Sequence, residues 1–270
     1  MQFRTPITIA PPPFQIEPLE PLLFVGSCFA DSMGRRFVEE RFPATVNPYG
    51  VMYNPASVLH TIERWLATQD AATPLPRIAF LTLGTNHVYR LRETGEIVDN
   101  CQKRPQRLFS EEELTVDECT HYLLQCVETL RHRRADVHVV VTVSPIRYRK
   151  YGFHGSQLSK ATLLLAADAL ARRCDSVTYF PAYEIILDEL RDYRFYAADM
   201  LHPSAQAVEY VWERLVECFF SARAKAFLDE WQPVKQALAH RPFNPDSEEY
   251  RDFLERTRQR ERELMEKYAR

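Results

Sequence analysis

The sequence predicts an α/β protein: a three-layer α/β/α sandwich around a mostly parallel central sheet, with a helical extension at its C-terminal end. Three observations carry this. Short, almost unbroken apolar runs at Leu22–Gly26, Arg77–Gly84 and Val137–Val143 each stop at a glycine or at Ser144-Pro145, as buried parallel strands do. Amphipathic stretches of helical period lie between them, long enough for crossover connections. No repeat or low-complexity segment competes with that pattern.

The elements follow in order. Residues 1–20, with Pro11-Pro12-Pro13, read as an irregular arm laid over the domain. Leu22–Gly26 is the first strand, and Gly26-Ser27 the tight turn into a helix from Ala30 to about Phe42, with Phe29, Met33, Phe37 and Val38 on one face. The dipeptides Asn47-Pro48 and Asn54-Pro55 mark a turn-rich loop around Gly50. Asn54-Pro55-Ala56-Ser57 opens a second helix with Val58, Leu59, Ile62 and Trp65 as its stripe. After the strand at 77–84, Val88–Leu91 and Ile97-Val98 flank Glu93–Glu96 as a hairpin. Residues 110–134 read as one long helix, capped by Ser110 with Glu113 three residues on. The central strand ends at Ser144-Pro145, and a basic, aromatic loop, Arg147–Gly155, leads to a helix from Ser156 to about Arg173. Ser176–Phe180 is a short strand, and Pro181 starts a helix through Leu190. The loop 193–203 precedes a helix from Ser204 to about Trp231. Prolines 233, 242 and 245 set residues 232–270 apart from a main domain of residues 1–231, as a linker and a charged helix. The broken stripe Tyr250, Phe253, Leu254, Leu264, Met265 and Tyr268 suits packing on the body or on a second copy, so a homo-oligomer through this helix is one expectation.

Composition narrows the function. The 270 residues are 46% hydrophobic, enough for a sizeable core, and the net charge of −3 excludes a globally basic nucleic-acid binder. No secretory leader and no apolar run of bilayer length is evident, so cytoplasmic residence is expected. The six cysteines show no CxxC pairing and read as reduced thiols rather than disulfides or a metal site. No metal and no cofactor are expected.

Two stretches offer chemistry. Ser27 stands at the carboxyl end of a strand and the amino end of a helix, where α/β sheets bind ligands. It suits a nucleophile, and it equally suits a helix cap. Asp199-Met200-Leu201-His202-Pro203 places a carboxylate and an imidazole three apart in a loop before a helix. Asp199 can hold the Nδ1 proton of His202 and leave the other nitrogen to take a proton from a nucleophile. A turn role for both is the plainer reading. Oxyanion donors are the Ser27 N–H, the Gly50 N–H and a side-chain amide, Asn86 of Gly84-Thr85-Asn86 or its rival Asn100. Cys28 is an alternative nucleophile, since a helix start favours a thiolate. His87, Lys103, Arg147 and His154 are candidates to line a cleft.

Gly26-Ser27-Cys28-Phe29-Ala30 resembles the name-giving motif of the GSCFA domain family, itself similar to the SGNH (GDSL-type) hydrolases. The likeness covers residues 20–230 and includes Asn47-Pro48-Tyr49-Gly50, Gly84-Thr85-Asn86, Asn100-Cys101-Gln102-Lys103, Ser144-Pro145-Ile146-Arg147, Gln157–Ala161 and Asp199–Pro203. It implies an SGNH/flavodoxin-like sandwich in which Ser27 is nucleophile and oxyanion donor, Gly50 and Asn86 add donors, His202 is the base and Asp199 orients it. Two departures stand out: Gly-Ser-Cys replaces the Gly-Asp-Ser of many SGNH enzymes, and His87 stands where Asp is usual. The expected function is a serine-dependent ester hydrolase or acyltransferase acting through an acyl-enzyme on an acylated, most simply O-acetylated, carbohydrate or related small ester. The alternative is a non-catalytic glycan- or partner-binding module on the same fold.

Overall fold

The computed structural model describes residues 4–70 and 73–269. Eight strands occur in order: β1 (Leu22–Gly26), β2 (Ala44–Val46), β3 (Ile78–Leu83), β4 (His87–Leu91), β5 (Ile97–Val98), β6 (Phe109–Glu113), β7 (His138–Val143) and β8 (Val177–Tyr179). Five of them form one all-parallel sheet in the order β2-β1-β3-β7-β8, and β5-β4-β6 form a small antiparallel sheet. The helices are α1 (Cys28–Glu39), α2 (Pro55–Ala67), α3 (Val116–Arg133), α4 (Gly152–Arg173), α5 (Ala182–Glu184, continued by a π-helical turn over Ile185–Leu190), α6 (Ala205–Phe219), α7 (Ala222–Ala239) and α8 (Glu248–Tyr268).

The alternation of side chains along each strand divides the core in two. Leu22, Phe24, Ile78, Phe80 and Val140 point to one face, against α1, α6, α7 and the end of α8. Leu23, Val25, Ala79, Leu81, Val139 and Val141 point to the other, against α2, α3 and α4. Phe24 stacks on Phe80 with centroids 4.7 Å apart, and Phe37 of α1 meets Phe24 at 5.1 Å and Trp212 of α6 at 4.8 Å. That is the expected three-layer sandwich. After β1 the chain goes to β2 on one side and then crosses to β3 on the other. The order of strands therefore reverses beside β1, and in such sheets ligands bind at the carboxyl ends of the strands flanking that point, here β1 and β3.

Four expectations are corrected. Residues 110–134 are not one helix: Phe109–Glu113 is strand β6, paired with β4, and the capping box lies five residues later, at Thr115 and Glu118 of α3. Ladder pairing with the hairpin outweighs the cap signal at Ser110. Helix α4 begins at Gly152, so Ser156 is inside it, accepting from the Tyr148 N–H at 3.1 Å. The helix expected over 204–231 breaks at Phe220-Ser221, where Ile16 of the N-terminal arm exchanges backbone hydrogen bonds with Phe219 and Ser221. Helix α7 then runs to Ala239 with Pro233 inside it, so the start of the stretch expected as a linker from residue 232 is helical. Phe227, Trp231 and Val234 are buried on its inner face and hold the turn together. Two members of the C-terminal stripe, Leu264 and Tyr268, join the same core, and Lys267 pairs with Glu230 at 2.6 Å. Among the described residues no helix is long and apolar enough to cross a membrane, and all six cysteines are free thiols.

Candidate active site

Gly26 makes the elbow after β1. Its φ of +142° is one that L side chains rarely adopt, and a Cβ there would lie 2.1 Å from the Thr82 carbonyl oxygen of β3. The next residue turns inward. Ser27 is 0% exposed; its N–H donates to the Thr82 carbonyl and Oγ1, both at 3.0 Å. Its own Oγ lies 3.1 Å from Thr82 Oγ1 and accepts the Phe29 N–H at 3.2 Å, as an N-cap. Cys28, the first residue of α1, turns the other way. It is partly exposed, and its sulfur sits 3.6 Å from the Tyr53 hydroxyl. Its N–H, at a helix position with no intrahelical partner, donates to no group among the described residues. The Tyr53 hydroxyl is pushed up to about 12 by burial and by Cys28 beside it.

Two loops flank the elbow. Asn47, held at a φ of +40°, straps the elbow: its Oδ1 accepts the Gly26 N–H at 2.8 Å and its Nδ2 donates to Asp31 at 2.6 Å. Behind β3, the Gly84 and Thr85 N–H groups both donate to the Tyr53 carbonyl, at 2.8 and 2.9 Å. Two buried side chains of α4 brace that loop. Ser159 Oγ accepts the Asn86 N–H at 3.1 Å, and Lys160 Nζ donates to the Gly84 carbonyl at 2.6 Å. Lys160 forms no ion pair among the described residues and lies 5.3 Å from the Tyr148 ring centre; burial alone lowers it to about 7.

The Asp-x-x-His turn takes the predicted shape. Asp199 Oδ2 lies 2.6 Å from His202 Nδ1, and Oδ1 accepts the Leu201 and His202 N–H groups at 2.9 and 3.0 Å. These backbone donors, more than the imidazole, hold the Asp199 carboxyl down at about 2. Both side chains are nearly half exposed, 44% for Asp199 and 47% for His202. Arg147, in the loop after β7, anchors the turn: its N–H donates to the Leu201 carbonyl at 3.1 Å and its Nη1 to the Met200 carbonyl at 2.9 Å. The adjacent Tyr148 packs edge-on against Tyr53, centroids 5.8 Å apart. One loop thus touches the His202 turn on one side and the neighbour of Cys28 on the other.

Other predicted site residues fall differently. No hydrogen bond joins Ser27 to His202, and the Ser27 N–H, counted as an oxyanion donor, is spent on Thr82. The Gly50 N–H closes a turn onto the Asn47 carbonyl at 2.8 Å. Asn86 is buried and donates through Nδ2 to the Leu114 carbonyl at 2.8 Å, so its amide ties β3 to the start of α3. Asn100 is exposed and caps its own loop by accepting the Gln102 N–H at 2.7 Å. His87 stacks on Tyr151 at 3.6 Å, with burial lowering its proton affinity. Lys103 and His154 are exposed and make no recorded polar contact. The strap by Asn47 lies outside the expected site residues, and the Asn-Pro dipeptide is its signal; the braces by Ser159 and Lys160 fall within the Gln157–Ala161 stretch of the family likeness.

The parallel sheet, with a glycine elbow after its first strand and an Asp-His turn before a late helix, fits the SGNH-like fold expected from the sequence. Solved structures of low sequence identity share parts of this fold. A protein from Streptococcus pneumonia, provisionally described as a platelet activating factor, superposes with a TM-score of 0.50 at 16% identity over 76% of this chain and 85% of that one. A member of the lipolytic protein G-D-S-L family from Veillonella parvula gives 0.49 at 14% identity, over 74% and 98%. An acetyl-xylooligosaccharide esterase from Geobacillus Stearmophilus gives 0.47 at 14%, over 77% and 98%. Among curated proteins no relative matches. The GSCFA family model matches residues 21–75 and 75–215, and that of the GSCFA domain protein, C-terminal domain, matches residues 231–270. The chain belongs to the GSCFA family.

Proposed function

We propose that this protein is an ester hydrolase or acyltransferase that works through an acyl-enzyme, with Cys28 as the attacking group in place of the expected Ser27. The observation that carries this is the division of labour at the elbow. Ser27 is sealed against Thr82, whereas Cys28 is partly exposed and its N–H, at the start of α1, has no partner among the described residues. In register, Ser27 then stands where many SGNH enzymes have the Asp of Gly-Asp-Ser, and Cys28 where they have the Ser.

In this reading His202, oriented by Asp199, takes the thiol proton as sulfur attacks the ester carbonyl. The Cys28 N–H donates to the oxyanion. The carbon–sulfur bond forms, the carbon–oxygen bond breaks, and the alcohol leaves with the proton held by His202. Water or an acceptor hydroxyl, deprotonated by His202, then resolves the thioester. Support for His202 as the partner is the Arg147-Tyr148 loop, which contacts both halves. An O-acetylated carbohydrate as substrate rests on the family resemblance, and a reducing, cytoplasmic setting fits a working thiol.

The test is intact-mass and peptide mapping after incubation with p-nitrophenyl acetate. An acetyl adduct on Cys28, cleaved by neutral hydroxylamine, is expected. Cys28→Ala should remove it and lower turnover by about 10²–10³-fold or more, while Ser27→Ala should keep it. An adduct on Ser27 would return the role to the serine. No adduct from any of a panel of esters would leave a binding module.

A further inference from the structure

We propose that the cavity beside the His202 turn, built around Arg147, is a subsite for a carboxylate-bearing sugar ring, of the uronic-acid type. This rests on the proposed reaction for its role, and on its own geometry for its ligand. The cavity has a volume of about 230 Å³ and is lined by Arg147, Ile186, Leu187, Arg191, Asp192, Tyr193 and Tyr196. Arg147 is its centre. The guanidinium carbon lies 4.2 Å from the ring centre of Phe153 and 5.5 Å from those of Tyr193 and Tyr196.

The charge of Arg147 has no anionic partner among the described residues. It forms no ion pair among the described residues, and its one polar side-chain bond goes to the neutral Met200 carbonyl. The carboxylates nearby are taken: Asp188 by Arg191 at 3.5 Å, Asp192 by Arg194 at 3.1 Å, and Asp199 by His202 at 2.6 Å. A half-buried guanidinium with free donors, set among apolar walls, selects an anion that can take paired hydrogen bonds.

The rings select what carries that anion. Tyr193 is 64% exposed and Phe153 51%, both large apolar surfaces left open to water around the same cation. Flat aromatic faces beside a carboxylate acceptor suit a pyranose ring with a carboxyl substituent, which presents an apolar face and a charge together. The Met200 carbonyl held by Arg147 lies two residues before His202, so a ring bound here lies beside the turn that carries the proposed base.

The experiment is calorimetric titration of the full wild-type chain with trigalacturonate, its fully methyl-esterified form and triglutamate. Trigalacturonate and triglutamate carry no ester, and the methyl ester is titrated into Cys28→Ala as well as wild type, so the readout is independent of turnover and of the Cys28 adduct. Trigalacturonate should bind about tenfold or more tighter than the methyl ester and than triglutamate. Arg147→Gln should abolish that preference. Because Arg147→Gln also loosens the Met200 anchor, Tyr193→Ala, at an exposed ring, is the second variant, and it should weaken trigalacturonate several-fold in a chain that melts as wild type. Equal binding of the methyl ester, tighter binding of triglutamate, or unchanged binding by Tyr193→Ala would overturn the proposal.

Discussion

The two halves of the candidate site are built in opposite ways. The elbow at Gly26–Cys28 is encased: its glycine touches the Thr82 backbone, its serine is spent on Thr82, and Asn47 and Thr82 absorb the N–H groups of Gly26 and Ser27. The Asp199–His202 turn is exposed and largely holds itself, by the bonds from Asp199 to its own segment plus the anchor from Arg147. The first half is positioned by long-range packing, the second by local hydrogen bonds. Damage to the first should therefore appear as lost stability, and damage to the second as lost chemistry in a folded protein.

The sharpest way to break that contrast is at Gly26. Gly26→Ala puts a Cβ 2.1 Å from a backbone oxygen that cannot swing away, at a φ of +142°. A loss on the order of 3 kcal/mol or more is expected, read by chemical denaturation. A variant as stable as wild type would show that the elbow is not packed as described.

Asp199→Asn is the counterpart. It should lower ester turnover about 10²-fold or more by releasing the His202 tautomer, with stability within about 0.5 kcal/mol of wild type, as for exposed sites. A large loss of stability with turnover retained would reverse the roles of the two halves.

The smallest effect is a pH dependence seated in the encased half. Lys160 is lowered to about 7 in the folded protein, against an ordinary value near 10.4 in the unfolded chain. Below pH 7 both states hold the proton, and burial of the charge costs stability in full. Between about pH 7 and 10 the unfolded state holds more protons, so stability rises with pH. Wild type should gain on Lys160→Met by about 2 kcal/mol or less between pH 7 and 9, measured by denaturation at each pH. A difference flat with pH would mean that Lys160 stays charged when buried.

Much of the architecture was legible because it is written in local periodicity. The apolar runs at β1, β3 and β7 and the stripes of α1 and α2 needed no partner to be read. The stretch 109–134 was not, because a strand that exists only by pairing with β4 carries the same charged residues as a helix start. The break at Phe220-Ser221 likewise depends on the arm at Ile16, about two hundred residues earlier.

At the site the division is finer. The Asp199–His202 pair is a product of spacing, since a turn of three residues brings the carboxylate to the imidazole whatever surrounds it. Gly26-Ser27-Cys28 as a sequence places two candidates for the proposed nucleophile at a strand-to-helix elbow. It does not say which of two neighbours that is, because adjacent side chains at such a turn face opposite ways. Only the register of β1 against β3, which sets Gly26 opposite Thr82, turns the Ser27 hydroxyl inward and leaves the Cys28 sulfur on the other side, beside the Tyr53 hydroxyl.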